Sequence, residues 1–240
     1  MKIGKCKLCN LNKKLCDHSH IIPNHTYKIL KDENKKLMFL ESGKICKRQT
    51  GEFEGGILCQ TCENILSDYE SYGNKLIFEN KINNIQREIK KIGDREILEI
   101  KGGGYDYQKF KLYLISILWR SSISSRSFFK NVNLGHENNE ILRNMILNYN
   151  PGEIYEYPCL IVLPSLMFNK SGFDLVDVGI TKSPITYYNC KLKYVDFLIT
   201  GCRYQFAITT QEGDTKLISV QKDALILPFF TPEESEKCRN

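Results

Sequence analysis

Two Cys-x-x-Cys pairs constrain this chain more than any other feature: Cys6 with Cys9, and Cys59 with Cys62. Each pair sets two sulfurs on one side of a tight turn. Two such turns, brought together, supply the four thiolates of a tetrahedral zinc site. The predicted metal ligands are therefore Cys6, Cys9, Cys59 and Cys62, and the predicted ion is a structural Zn2+, because a closed four-sulfur site contributes folding free energy and keeps no open position for chemistry. The same sulfurs also suit an iron–sulfur cluster or a redox dithiol. A ligand set drawing on Cys16, His18 or Cys46 is a less economical choice. The other cysteines are scattered and read as buried thiols.

Length and charge set the wider frame. The 240 residues allow one large domain or two modest ones. The longest apolar run, Phe110 to Trp119, contains Lys111 and is about half of the ~20 residues that a membrane span needs. No apolar core of signal-peptide length follows Met1. A cytoplasmic chain with no membrane partner is the expectation. Its net charge of +6 is concentrated at one end: residues 1 to 50 hold 12 Lys and Arg against 4 Asp and Glu, a net of +8. Lysines crowded beside the cysteines, Lys5, Lys7, Lys13 and Lys14, fit a phosphate backbone, since cationic side chains there release counterions without regard to sequence. A Lys-rich composition alone would leave the same excess.

Taken in order, residues 5 to 16 form the first knuckle, and Ile21-Ile22 reads as a short strand that Pro23-Asn24 ends. Residues 24 to 50 read as an insertion with one apolar patch at 37 to 40. Past Cys62 the residues Ile65, Leu66, Tyr69, Tyr72 and Leu76 share one helical face. That helix is expected to run on, with a break, to Lys91, before a strand over 96 to 101 and a boundary at Gly102-Gly103-Gly104. The glycine triplet lacks the spacing and the following Lys-Ser/Thr of a P-loop. Beyond it come a buried helix over 107 to 122 and an amphipathic one over 136 to 148. Strands are expected at 160 to 163, 173 to 180, 193 to 199, 204 to 209 and 217 to 220, then a polar tail after Pro228. The fold class is α+β: a zinc-stapled treble-clef module over 1 to 101, followed over 105 to 240 by an α+β domain with an antiparallel sheet.

Between the knuckles lies Ser19-His20-Ile21-Ile22-Pro23, and the second knuckle runs Cys59-Gln60-Thr61-Cys62-Glu63 into the helix. Together these resemble the HNH or ββα-metal (His-Me finger) endonucleases, in particular members whose catalytic hairpin and helix are stapled by two Cys-x-x-Cys knuckles. The resemblance covers roughly residues 5 to 80. The whole chain is also similar to bacterial proteins that carry the same Ser-His-Ile-Ile-Pro segment. What the likeness implies is a metal-dependent endonuclease cutting DNA or RNA. His20 would be the general base, Mg2+ or Mn2+ the catalytic cation and Glu63 its ligand in place of the family's Asn. The family's Asp before the base is Ser19 here, a weaker oxygen for a cation. For the last family position, deeper in the helix, Asp68 is chosen over Ser67 and Glu70.

Two other readings stand beside it. A treble-clef module without catalysis would bind nucleic acid or protein through the same basic face, and would permit a buried His20 that only fixes a strand. A redox or metal sensor would need its surplus thiols exposed and paired.

Overall fold

The computed structural model describes residues 2–28, 36–41, 44–163, 168–169, 172–173, 180–189, 192–199, 202–212, 219–231 and 234. In chain order the elements are β1 (Ile3–Lys5), β2 (Asn12–Lys14), β3 (Ser19–His20), α1 (Asn24–Lys28), β4 (Leu37–Glu41), β5 (Lys44–Arg48), β6 (Phe53–Glu54) and α2 (Gln60–Ile77). There follow β7 (Gln86–Ile92), β8 (Arg95–Lys101), α3 (Tyr107–Ile123), a 3-10 turn (Ser127–Phe129) and α4 (Gly135–Leu147). The last are β9 (Cys159–Val162), β10 (Phe168–Asn169), β11 (Gly172–Phe173), β12 (Ile180–Asn189), β13 (Leu192–Ile199), β14 (Cys202–Ile208) and β15 (Ala224–Pro228). The fold is mixed α and β, as expected, with several antiparallel sheets.

Helix α3 is the axis of the molecule. Asp106 caps it by accepting from the Lys109 amide at 2.9 Å, and every residue from Phe110 to Ser121 is buried. An apolar helix without a polar face can only sit inside. Helices α2 and α4 pack against it. Its apolar side chains belong to one cluster with Leu66 and Leu76 of α2, Leu142 of α4, and Val195, Phe197 and Phe206 of the sheet.

The large sheet has six strands in the order β5-β4-β12-β13-β14-β9. It is antiparallel except where β4 lies parallel to β12, with Ile180 opposite Met38 and Lys182 opposite Leu40. The stretch 24 to 50, left without a secondary-structure assignment above, thus supplies a helix and two sheet strands. A smaller sheet, β15-β8-β7, likewise joins residues on both sides of Gly102-Gly103-Gly104.

Several expectations are corrected. The α2 helix stops at Ile77, and Gln86–Ile92 is a strand, not its continuation. Gly93 takes φ 58° in a two-residue turn that pairs Ile92 with Arg95, the hairpin geometry that glycine permits. The strand at His20 is Ser19–His20, not Ile21-Ile22, which are buried just after it. Ala224–Pro228, unassigned in the sequence reading, is an edge strand, where proline is tolerated. The chain after it is not simply a polar tail, because Phe229 and Phe230 are buried and bond to Glu96 and Leu163. The expected strands at 173 to 180 and 217 to 220 fall largely outside the described residues.

Two features of α3 generate tests. A Cβ on Gly73 of α2 would lie 2.8 Å from the Tyr113 ring, and that ring is buried, stacked with His25 and tilted against Phe110. Alanine gains about 1 kcal/mol of helix propensity over glycine, but overpacking a core costs about 1–3 kcal/mol. Gly73→Ala should therefore lose up to about 2 kcal/mol of stability, read by denaturant unfolding. Lys111 is the second. Its Nζ donates to the Tyr107 hydroxyl at 3.1 Å and to the Glu153 carbonyl, and burial pulls its pKa down to about 7. Between about 7 and the ordinary 10.5 the unfolded chain binds a proton that the native chain lacks, so stability should rise with pH across that window. Lys111→Met should flatten that part of the stability profile in thermal melts from pH 6 to 11.

Candidate functional site

The two knuckles meet. Asn10, at φ 60°, turns the chain after the first pair, and the Cys6 amide donates to Leu11 at 2.9 Å. Cys59 caps α2, and the Cys62 amide closes back on its carbonyl at 3.0 Å. The sulfurs of Cys6, Cys9, Cys59 and Cys62 all lie within 4.8 Å of one another, with Cys9 and Cys59 4.0 Å apart. A disulfide would need about 2.05 Å. Zinc–sulfur bonds of about 2.3 Å in a tetrahedron place sulfurs roughly 3.8 Å apart. The four cysteines therefore fit a metal ion such as zinc, and Cys6, Cys59 and Cys62 are buried as a closed structural site requires.

Beside this cluster, β3 pairs with β6, setting Ser19 opposite Glu54 and His20 opposite Phe53. The pair is short and is held from outside. Ile21 and Ile22 are anchored in the core, and the Ile21 amide donates to the Glu52 carbonyl at 3.0 Å. The Glu52 carboxylate is itself buried and paired with Arg48 and Arg126. Glu54 accepts from Ser124 Oγ, Ser125 N and Ser125 Oγ at 2.7–2.9 Å. Burial pushes the Glu54 carboxyl up, but these hydrogen bonds outweigh it and hold it below its ordinary value.

A cleft of about 430 Å³ opens between this strand pair and α2, lined by residues that include His18, His20, Glu63, Ser67, Glu70 and Arg120. That size suits a small ligand or one reacting group of a larger one. His20 is half-buried there. Burial lowers its imidazole below the ordinary 6.5, Arg120 and His18 add to the effect, and Glu70 opposes it. His20 is accordingly neutral at pH 7, the form that accepts a proton. Glu63 moves the other way: burial raises its carboxyl, Glu70 adds to the rise, and Ser19 and Arg120 oppose it. Ser19 Oγ and Glu63 Oε1 are buried atoms without a hydrogen-bond partner among the described residues.

Of the predicted residues, the structure brings His20 and Glu63 to one cleft, with Ser19 fully buried on the strand behind. Asp68 is exposed on α2 and does not line the cleft. At 100° per residue, positions four and seven beyond Glu63 return to within about 40° of it, whereas position five lies about 140° away. Ser67 and Glu70 therefore share the cleft face of that helix with Glu63, and this was legible from helical spacing alone. Arg120 was missed altogether. A lone arginine near the end of an all-apolar helix was its only signal.

The basic residues divide. Lys5 and Lys14 are exposed on the first hairpin and Lys13 is half-buried, while Lys7 Nζ donates to the Ile123 carbonyl at 2.7 Å and is committed to the fold. Among the remaining thiols, Cys16 lines the cleft and reaches Gln60 Oε1 at 3.6 Å. Cys159 and Cys202 are buried, so neither is an exposed sensor thiol.

No family model, curated protein or solved structure matches this chain. The reading of the site rests on its residues and their geometry. Among the described residues, no helix is long and apolar enough to cross a membrane.

The four-cysteine cluster makes a direct prediction. Elemental analysis should find one tightly held metal ion per chain, and Cys59→Ser should lose it and lower the melting temperature. His20→Ala should retain both metal and melting temperature.

Proposed function

We propose that this chain is a metal-dependent endonuclease hydrolysing phosphodiester bonds in DNA or RNA, with His20 as general base and a zinc ion as its structural staple. The observation that carries the reading is that His20 and Glu63 line one open cleft, where burial favours the neutral imidazole. A strand-fixing histidine would have no need to reach that cleft. Hydrolysis at neutral pH requires a group that takes a proton from water, and an unprotonated imidazole serves.

A hard divalent cation, Mg2+ or Mn2+, would supply stabilisation of the charge that develops on phosphate and leaving oxygen. The residues present fit such an ion. Glu63 Oε1 and Ser19 Oγ are buried oxygens that make no full hydrogen bond among the described residues, and Ser19 is near enough to favour the charged form of Glu63. Glu63 would be the charged ligand and Ser19 a neutral one. Glu70, on the same face of α2, takes the place first given to Asp68. The exposed Lys5 and Lys14 would attract the phosphate backbone toward the knuckle.

The test is a plasmid-nicking assay with Mg2+ or Mn2+. Unmodified protein should nick, and His20→Ala, still metal-loaded and folded, should lose about 10²–10⁴-fold in rate. Glu63→Gln should lose activity and require more Mn2+. Equal cleavage by protein and His20→Ala would remove His20 as the base. Failure to cut duplex, single-stranded or branched DNA and RNA would leave a zinc module that binds nucleic acid or protein without catalysis.

A further inference from the structure

Arg120 is 1% exposed and lies one hundred positions from His20, in a helix that is otherwise almost wholly apolar. All three of its guanidinium nitrogens are engaged. Nη1 donates to the His20 main-chain carbonyl at 2.5 Å and meets Glu70 Oε1 at 2.6 Å. Nε reaches the Ser116 carbonyl at 3.2 Å and Nη2 the Ser116 hydroxyl at 3.3 Å. The Ser116 hydroxyl is itself fixed, donating to the Tyr113 carbonyl at 2.7 Å. A rigid fork with one edge bound to its own helix leaves the other edge to hold two further elements at a set distance. Those two elements are the strand that carries His20 and the α2 face that carries Glu63 and Glu70.

We propose that Arg120 is the positioning residue of the cleft, spanning from α3 to the His20 strand and to the Glu70 carboxylate and so fixing base and acid relative to one another. Strand β3 has two residues and pairs with a strand of two. Such a ladder has little register of its own, and a misplacement of about 1 Å at a reacting group can cost about 10²-fold in rate. The burial of a charge here is otherwise hard to explain, since a buried ion pair adds little net stability over apolar residues of the same size. Two neighbouring contacts bind the same end of α3 to the site, Ser124 and Ser125 to Glu54 and Ile123 to Lys7. Neither touches the histidine.

The catalytic arm of this inference rests on the nuclease reading; the structural arm does not. The test is Arg120→Lys, which keeps the charge but cannot span Ser116, His20 and Glu70 together. Amide hydrogen exchange, metal content, kcat and KM are measured on the full chain. Metal content and the exchange of α2 should match the unmodified protein, exchange at residues 19–22 should rise about tenfold, and kcat should fall at least tenfold with KM changed less than twofold. Unchanged exchange at 19–22, or unchanged kcat in an active protein, would overturn the proposal. If Arg120→Lys does not fold, the double variant Arg120→Met with Glu70→Leu removes the charge pair as a unit. It should be metal-loaded with the same local rise in exchange, and its absence would be equally fatal. If the unmodified protein cuts no nucleic acid, the nuclease reading falls by itself, and the exchange at 19–22 still decides whether Arg120 holds the strand.

Discussion

Four sulfurs within 4.8 Å of one another have to be explained before anything else in the N-terminal third of this chain. Thiolates at that spacing repel unless a cation sits among them, and the turns that carry them are separated by a long excursion of chain. A metal ion changes the balance, because each sulfur–metal bond fixes a turn that hydrogen bonding alone would leave loose. The strands nearby are two and three residues long and could not stand unaided. The cysteine cluster fixes where α2 begins, and the beginning of α2 fixes Glu63 one residue past the last ligand.

A second layer of support comes from α3. Its apolar length requires burial, and burial places its C-terminal end against the His20 strand, where Arg120, Ser124 and Ser125 reach β3, β6 and α2. The site is thus held on one side by the four-cysteine cluster and on the other by a charged fork inside the core. The two supports differ in kind. The first would depend on an ion and on reduced thiols; the second depends on the geometry of one guanidinium.

How much of this was legible follows from the range of each signal. The cysteine pairs and the histidine segment are local patterns, and they led to the four-sulfur cluster and to the cleft. The choice of Asp68 over Glu70 was an error of counting around a helix. Strand β7 was lost because Gln86–Ile92 is rich in Lys and Glu, good helix formers, and only the Gly93-Asp94 turn marks it as half of a hairpin. Arg120 lay beyond sequence reasoning in a stricter sense. Its partners are the backbone oxygen of one residue and the side chain of another, and no spacing along the chain encodes a main-chain carbonyl as an acceptor.

The parallel pairing of β4 with β12 bears on how the chain acquires this architecture. Met38 and Ile180 become neighbours although more than a hundred residues of chain lie between them, so the hairpin of β4 and β5 is synthesised well before the strand it pairs with. Until then β4 keeps an open edge of unpaired amides and carbonyls, the kind of surface that recruits other nascent chains. Lys44, Lys47 and Arg48 on the neighbouring strand place like charges along that hairpin, which discourages two copies from zipping together during the interval. Part of the positive charge of residues 1 to 50 thus lies along the hairpin whose edge is open until β12 joins it.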